Sequence, residues 1–293
     1  MKKTVHIVSH THWDREWYLP LENHTMRLVD LVDGLIEALE DPSFKYFQFD
    51  GQYLPIEDYL KVRPENKDIL KELIESGRII IGPWYILQDA FLTSGESNVK
   101  DLSLGIKKTN DWGRPASIGY FPDTFGNIGQ APQILNKAGI GVSYFGRGVK
   151  ATGFDNAVIE DFTSKNSELI WKSNDGSEVL GILFANWYCN GVDIPSKEDK
   201  LRKYMDQKIA DMEKYASTNQ LLLMNGCDHS PVQKNIGEII EKLNTMYDDY
   251  EFVHSNLDLY YEAVNKEIDR EKLAQITGEL RSQTTDGWYT LQG

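Results

Sequence analysis

The chain has 293 residues, of which 41% are hydrophobic and 26% charged, and its formal net charge is -14. This size and balance fit a globular protein with one large α/β domain or two ordinary domains. The acidic excess excludes the basic surface that binding to nucleic acid or an anionic membrane requires, and no apolar run approaches the roughly 20 residues of a membrane span. We therefore expect neither kind of partner.

The cysteines and the first residues indicate a cytoplasmic protein. Cys189 and Cys227 could pair, but one bridge in a chain of this length is no disulfide framework, so we expect reduced thiols. His6 and His10 interrupt the N-terminal apolar run too early for a signal peptide.

Apolar runs typical of strands alternate with amphipathic helical patterns along the chain. The predicted strands are 4–9, 46–49, 79–81, 117–121, 142–145, 179–184, 220–224 and 251–253. The predicted helices are 26–40, 56–62, 69–76, 98–111, 130–138, 197–216, 231–246 and 257–264, with a loop over 148–166. The helix at 231 has Ser230 as its expected N-cap, with Gln233 at the capping-box spacing.

Repeated βα units predict a parallel sheet with helices outside it, and seven or eight strands suffice to close a barrel. The expected fold class is α/β: a parallel βα barrel-like domain of about seven strands with outer helices. We assign residues 1–270 to this domain. Residues 271–293 read as the start of a following region, and we expect the chain to be a fragment of a longer protein.

The first strand runs directly into a group of metal-ligating residue types. Because side chains alternate along an extended chain, His10, His12 and Asp14 should point to one face. Two imidazoles and a carboxylate suit a divalent metal with mixed nitrogen and oxygen ligands, above all zinc. The alternative is that these residues cap a helix or bond to the backbone.

The carboxyl ends of parallel strands form one rim, and in such folds that rim carries the site. Its predicted members are His10, His12, Asp14, Asp50, Gln52, Trp84, Tyr85, Asp89, Asp123, Arg147, Trp187, Tyr188, Asp228, His229 and His254. The rim is rich in carboxylates, histidines and aromatic rings, and such rings stack on the apolar faces of sugars.

Two carboxylates of this rim are candidates for catalysis. Asp123 follows Phe121 and Pro122, which restrict the backbone, and Asp228 ends the most apolar strand, where we expect it to be partly buried and to act as an acid. Asp123 could instead form an Asx turn, and Asp228 could cap the next helix. A metal with two carboxylates, and no phosphate-binding loop, favours glycoside hydrolysis in which one Asp attacks the anomeric carbon and the other protonates the leaving oxygen.

Three segments carry a family resemblance: HTHWDREW, GYFPDTFGNIGQAPQIL and MNGCDHSPVQ. They resemble the N-terminal catalytic domain of glycoside hydrolase family 38, the zinc-dependent retaining α-mannosidases, with the bacterial branch most similar. The resemblance spans essentially the whole chain. It implies an enzyme that removes α-linked mannose with retention, through a covalent glycosyl-Asp intermediate assisted by zinc.

The resemblance also assigns roles to single residues. The zinc-binding His-x-Asp falls on His12 and Asp14, and the Asp that is both nucleophile and zinc ligand falls on Asp123. The aromatic residue that stacks on the mannose falls on Trp17, and an arginine of the site matches Arg147.

The acid/base carboxylate falls on Asp228, although this chain has Cys227 where the family has the first residue of an Asp-Asp pair. Tyr188 matches a tyrosine near the sugar, and we expect Trp84 to contact the substrate as well. The resemblance moves His10 from the metal to a supporting position.

A further zinc-binding His of the family has no counterpart in this chain, and His229 and His254 do not fit its pattern. We expect the fourth protein ligand to lie outside residues 1–293. This piece alone should therefore bind metal weakly and be weakly active or inactive. The expected partner is a carbohydrate substrate, an α-mannoside, and the sequence leaves a homo-oligomer of the full-length enzyme open.

Two other interpretations remain. Amidohydrolase-like metal hydrolases also carry HxH after their first strand, but their later strands usually supply further His and a Lys, whereas this chain has Asp, Arg and aromatic residues there. A metal-free carbohydrate-binding scaffold would need the aromatic residues but neither Asp14 nor Asp123.

Overall fold

The computed structural model describes residues 2–115, 117–149 and 164–281. Its strands are β1 (Lys3–Thr11), β2 (Phe47–Phe49), β3 (Ile79–Ile80), β4 (Gly119–Phe121), β5 (Val142–Phe145), β6 (Glu168–Lys172), β7 (Glu178–Leu183), β8 (Gln220–Asn225), β9 (Tyr250–Ser255) and β10 (Gln275–Thr277). Its α-helices are α1 (Leu21–Ala38), α2 (Leu54–Val62), α3 (Lys67–Glu75), α4 (Gly95–Asp111), α5 (Ala131–Lys137), α6 (Glu198–Glu213), α7 (Ile236–Met246) and α8 (Leu257–Glu267). None of these helices combines the length and apolar character that crossing a bilayer requires.

The first sheet is built around β1. Its strand order is β3-β2-β1-β8, with β9 also paired to β1, and all of these pairs are parallel. β1 pairs with β8 over Thr4–Ser9 and with β9 over Lys3–Val8, and its last residues, His10 and Thr11, pair with β2. The strand that carries the first motif therefore lies at the centre of its sheet.

The second sheet has the strand order β10-β6-β7-β5-β4. β4, β5 and β7 are parallel neighbours, as are β6 and β10, but β6 runs antiparallel to β7. The described strands thus form two five-stranded sheets, and the single barrel that we expected is not confirmed.

The antiparallel hairpin is the main element that the sequence interpretation missed. β6 and β7 are joined by a tight turn in which Ser173 N donates to Ser177 O, and Gly176 has a φ of +88°. Asn-Asp-Gly between two apolar runs is a hairpin signal, but β6 directly follows a segment that reads as loop. Of the predicted loop 148–166, residues 150–163 lie outside the described residues.

The sheet also continues past our domain boundary at 270. β10 pairs with β6 over Gln275–Thr277, and Leu280 is buried and pairs with Asn127. Residues 275–281 therefore pack with the preceding chain. Residues 282–293, the rest of the expected following region, lie outside the described residues.

Two helix starts differ from prediction by five residues. α1 begins at Leu21 rather than at 26, and α7 begins at Ile236 rather than at 231. The side chain of Gln233 does not complete a capping box. It bonds instead to the backbone of Ile194, accepting from its N–H at 3.1 Å and donating to its carbonyl at 2.8 Å. Those bonds hold the segment before α7 against another loop.

The core lies on both faces of β1, as strand alternation requires. Val5 and Ile7 pack with α1, α2 and α7 in one apolar cluster, and Val8 packs with residues of the second sheet such as Tyr120 and Ile182 in another. The two sheets thus enclose the face from which Val8 points. His10 and His12 continue the same alternation, and that face leads to the rim.

The two cysteines are not reduced thiols, contrary to our expectation. Cys189 and Cys227 form a disulfide with a Cα–Cα distance of 4.8 Å. They lie 38 residues apart in sequence, and spacing could not reveal that the loops after β7 and β8 are spatial neighbours. Cysteine usage therefore gives no support for a cytoplasmic location.

Candidate active site

The predicted rim residues come together where the strands end. Asp14 follows β1, Asp123 follows β4, Arg147 follows β5, Tyr188 follows β7 and Asp228 follows β8. An isolated parallel bridge between His12 and Asp228 extends the β1–β8 pairing into the site. The sequence placed these side chains at one rim through the rule that parallel strands share their carboxyl edge.

Two candidate metal ligands, the carboxylates of Asp14 and Asp123, lie near one nitrogen of a third, His12. Nε2 of His12 lies 3.4 Å from Oδ1 of Asp14 and 4.0 Å from Oδ2 of Asp123. This nitrogen is buried and has no hydrogen-bond partner among the described residues. An unpartnered imidazole nitrogen that faces two carboxylates is the arrangement of a mixed His/Asp zinc site, so these residues fit the metal.

Charge at this point favours a cation. Burial lowers the pKa of His12, but the carboxylates of Asp50 and Asp14 outweigh it and raise that pKa well above its usual value. Burial likewise raises the pKa of Asp14, and the histidines around it reverse the effect, so that its pKa is lowered. The carboxylates that attract a proton to Nε2 attract a metal ion to the same place.

Asp50 holds the other side of the His12 ring. His12 Nδ1 lies 3.1 Å from Oδ1 of Asp50, whose Oδ2 accepts from the Trp13 backbone N–H at 2.7 Å and from Gln52 Nε2 at 2.8 Å. Asp50 is fully buried and has a left-handed φ of +51°. A carboxylate at Nδ1 fixes the tautomer that leaves Nε2 free for a metal.

His229 supports Asp14 rather than acting as a fourth ligand. Its Nε2 accepts a hydrogen bond from the Asp14 backbone N–H at 3.1 Å and lies 3.7 Å from Oδ2 of Asp14. Its ring packs edge-on against Trp13 and His24, and burial lowers its pKa, which favours the neutral imidazole that this bond needs. His229 therefore fixes the loop that carries Asp14.

Asp123 is bound from the side opposite the metal position. Arg147 donates to its Oδ1 from Nε at 2.7 Å and from a terminal nitrogen at 2.5 Å, and the guanidinium lies between the rings of Phe125 and Trp187. Burial raises the pKa of Asp123 to about 6, against the opposing charges of Arg147 and His12. Oδ2 remains directed toward His12.

Asp228 differs from Asp123 in its surroundings. We expected Asp228 to be partly buried, but it is exposed. Its Oδ1 accepts one hydrogen bond, from the Tyr188 hydroxyl at 3.0 Å. Tyr188 is buried and also packs its ring against His12 at 5.3 Å. The charge of Asp228 raises the pKa of Asp123, so the two carboxylates act on each other electrostatically.

The loop after β3 forms another wall of this pocket, with Gln88 and Asp89 lining it. Asp89 accepts from the Phe125 backbone N–H at 3.2 Å, and burial raises its pKa. The sequence placed Asp89 on the rim without a role.

The two tryptophans predicted to contact the sugar differ in their surroundings. Trp84 is only 2% exposed, packs on Phe121 and donates its indole N–H to the Tyr120 carbonyl, so it belongs to the core and not to a sugar surface. Trp17 is 52% exposed three residues beyond Asp14, and its ring packs on Tyr18.

His10 is buried beside Tyr188 and does not line the pocket, and burial lowers its pKa to about 4. His254, which we considered as a local metal ligand, is bonded to Ser9 and to the Lys45 backbone, also away from the pocket.

Among the described residues, one cluster brings at least three metal-ligating side chains within mutual reach by distance alone: Cys189, Cys227 and Asp228. Its sulfurs are bonded to each other and offer no thiolate.

Backbone strain marks the same region. Asp50, Trp187 and His229 have φ values of +51°, +71° and +50°, a conformation that few non-glycine residues adopt, and Asp193, further along the loop after β7, shares it at +51°. Gly226, just before the disulfide, has no room for a side chain, because a Cβ there would stand 2.0 Å from the His10 carbonyl oxygen.

Comparisons with known proteins show which family the chain belongs to. Residues 2–280 match the family model described as the N-terminal domain of glycosyl hydrolases family 38. A protein of Halalkalibacterium halodurans with the provisional name mannosylglycerate hydrolase is 54% identical over 99% of this chain and 33% of its own length.

Two crystal structures from Enterococcus faecalis are similar. An α-mannosidase is 51% identical with a TM-score of 0.91, over 98% of this chain and 32% of that one. A family 38 glycosyl hydrolase is 41% identical with a TM-score of 0.78, over 94% of this chain and 29% of that one. The chain thus spans about one third of the length of these relatives. It belongs to glycosyl hydrolase family 38.

Proposed function

We propose that the protein is a zinc-dependent retaining α-mannosidase in which Asp123 is the nucleophile and Asp228 the general acid and base. The observation that carries this proposal is the arrangement of Asp14 and Asp123 around the unpartnered Nε2 of His12, with Asp228 on the same rim. A sugar-binding scaffold would have no use for such an arrangement.

His12, Asp14 and Asp123 would hold the zinc ion, with a fourth protein ligand from outside residues 1–293. A zinc ion here would bind hydroxyls of the mannose and stabilise the charge that develops on the sugar. Asp50 and His229 orient this set, through Nδ1 of His12 and the backbone N–H of Asp14.

The two carboxylates divide the chemistry. Arg147 occupies Oδ1 of Asp123 and leaves Oδ2 to attack the anomeric carbon, while Asp228 gives its proton to the leaving oxygen. This step yields a glycosyl ester on Asp123 and a free alcohol. Asp228 then takes a proton from water, which attacks the anomeric carbon and releases mannose with retention. Trp17 would stack on the sugar, and Arg147 and Tyr188 would border it.

The substrate proposed is a terminal α-linked mannose, on an oligosaccharide or on a small aglycone. The names of the relatives from Enterococcus faecalis and Halalkalibacterium halodurans support mannose, and the second suggests a small acidic aglycone. The aromatic residues around Arg147 supply an apolar border for either.

The test uses the full-length protein with a panel of aryl glycosides, with and without a chelator. We expect hydrolysis of the α-mannoside alone, loss on chelation, and recovery with Zn²⁺. Asp123→Asn should lower kcat by about 10⁴-fold or more, because it removes the nucleophile. If the variant cleaves the mannoside at the wild-type rate, the proposal is wrong. Residues 1–293 alone should bind zinc weakly.

A further inference from the structure

The Cys189–Cys227 disulfide lies between two loops that each carry a residue of the proposed acid site. Tyr188 directly precedes Cys189, and Asp228 directly follows Cys227. The Tyr188 hydroxyl donates to Oδ1 of Asp228 at 3.0 Å, and Sγ of Cys227 lies 3.9 Å from the same oxygen. The cross-link therefore brackets the one hydrogen bond that Asp228 accepts from another side chain within the described residues.

We propose that the Cys189–Cys227 disulfide is a positioning element for catalysis, which holds Asp228 and Tyr188 in register for proton transfer to the leaving group. The inference rests on the proposed function, since it assumes that Asp228 is the acid. The two cysteines contact neither sugar nor metal in this account and act through their neighbours.

The other contacts between the two loops end short of the acid. Met224 N donates to the Asn190 side chain at 2.7 Å, and Gly191 N donates to the Met224 carbonyl at 2.9 Å. The Asn225 side chain also donates to the Gly191 carbonyl at 2.9 Å, so these bonds join the loop after β7 to the end of β8, three residues before Asp228. They would keep the loops in place without the disulfide, so its loss should leave the fold intact.

The backbone on either side of Asp228 bonds to His12, the residue directly after β1. His12 N donates to the Cys227 carbonyl at 3.2 Å, and His229 N donates to the His12 carbonyl at 2.8 Å. Neither bond involves the loop that carries Tyr188, whose ring packs on that of His12 at 5.3 Å. Because the Asp228 side chain is exposed, the covalent link between the residues next to this pair supplies a restraint that burial does not.

The link makes the acid site sensitive to reductants. Cys227 is half-buried and Cys189 buried, so a small reductant can approach from the Cys227 side. A trialkylphosphine would attack one sulfur and break the S–S bond. Two electrons from phosphorus and two protons then give two thiols, and water supplies the oxygen of the phosphine oxide.

The experiment compares two substrates that differ in their need for an acid. A 2,4-dinitrophenyl α-mannoside has a leaving group that departs without a proton, whereas a 4-methoxyphenyl α-mannoside needs one. The full-length, zinc-loaded enzyme is assayed before and after reduction with tris(2-carboxyethyl)phosphine, together with a Cys189→Ser/Cys227→Ser variant. Alkylation and mass spectrometry count free thiols, and zinc content is measured in each sample.

We expect kcat/KM for the methoxyphenyl substrate to fall about tenfold on reduction and in the variant, a part of the 10²–10⁴-fold that acid catalysis contributes. The value for the dinitrophenyl substrate should change by less than about twofold, because that step needs no acid. Reoxidation should restore kcat/KM of the wild-type enzyme, and the reductant should not change the activity of the serine variant.

Two outcomes overturn the proposal: equal losses on both substrates, which indicate a merely structural bond, or no loss on either. Two free thiols in the untreated enzyme also overturn it. Asp228→Asn separates this inference from the function on which it rests. If that variant selectively loses the methoxyphenyl substrate while the cysteine variant does not, only the disulfide's role is wrong. If Asp228→Asn shows no selectivity, the acid assignment itself fails.

Discussion

Asp123 and Asp228 lie on the same rim but are held in opposite ways. Asp123 is partly buried, bound by Arg147 at Oδ1 and directed toward His12 at Oδ2. Asp228 is exposed and accepts one hydrogen bond, from the Tyr188 hydroxyl. Its position depends on a loop that is cross-linked at Cys227. Burial and charge fix the first carboxylate, whereas covalent structure and one hydrogen bond fix the second.

The difference indicates how two carboxylates on one rim can serve different roles, one as a nucleophile and the other as an acid and base. A nucleophile must stay ionised at a defined place, which a guanidinium and a neighbouring cation favour. An acid and base must exchange protons with water and with the leaving group, which exposure permits. Environment, rather than residue type, assigns the two roles.

Among changes to the residues that hold the two carboxylates and the metal ligand, the largest expected effect comes from replacing Arg147, which binds Asp123. Arg147→Leu would leave the Asp123 carboxylate without its guanidinium, and we expect kcat to fall by about 10²–10³-fold, the usual cost of losing one charge-stabilising donor. Arg147→Lys should be intermediate, because an ammonium group cannot reproduce the fork of the guanidinium. Steady-state rates on an aryl α-mannoside measure both. Arg63→Lys, in a surface pair with Asp33, is the control and should change little. A wild-type rate for Arg147→Leu would remove the distinction between the two carboxylates.

A second test acts through the metal side. Asp50→Asn keeps the shape of the side chain but weakens the acceptor at Nδ1 of His12, and we expect zinc affinity to fall about 10- to 100-fold. Competition with a fluorescent chelator measures this affinity directly. Asp41→Asn, on an exposed turn, should bind zinc like the wild type. Equal affinities in all three proteins would mean that Asp50 does not orient the ligand.

The exposed side should respond less. Tyr188→Phe removes the hydroxyl that donates to Asp228, and we expect about a tenfold loss in kcat/KM with poor leaving groups, from the energy of one hydrogen bond to a charged group. Activated substrates should be nearly unaffected. A loss that is the same for every leaving group would place Tyr188 on the sugar rather than on the acid.

The smallest effect concerns a partly buried carboxylate outside the site. Asp101 accepts from the Ile86 backbone N–H beneath the wall loop, and burial raises its pKa to about 7. A raised carboxyl pKa means that the folded state prefers the proton, so this stability is present at low pH and is lost as pH rises through about 7. Melting temperatures of the full-length protein between pH 5 and pH 8 should fall by about 3 °C less in Asp101→Asn than in the wild type. An identical pH dependence of the melting temperature in the two proteins would contradict this role of Asp101.

The sequence predicted the rim better than the architecture. Strand alternation placed His12 and Asp14 together, and the position of Asp123 after a strand identified it, because these are local properties of single segments. The β6–β7 hairpin and the pairing of β10 were missed, since they depend on which strands meet across long distances in sequence.

Contacts made by more than one segment were equally hidden. That Asp50 binds Nδ1 of His12, or that Cys189 meets Cys227, follows from the approach of loops that are tens of residues apart. Trp84 shows the opposite error. Its place at a strand end suggested a sugar contact, but its ring is buried in the core and its indole N–H donates to the Tyr120 carbonyl.

The assignment of the two carboxylates can be tested in one measurement. The full-length enzyme is incubated with an activated fluoro-mannosyl fluoride, which forms the glycosyl ester faster than water can cleave it, and its peptides are mapped by mass spectrometry. We predict one added fluoro-mannosyl group per active site, on the peptide that contains Asp123. A label on Asp228, or an enzyme that turns the reagent over without any covalent adduct, would contradict the account.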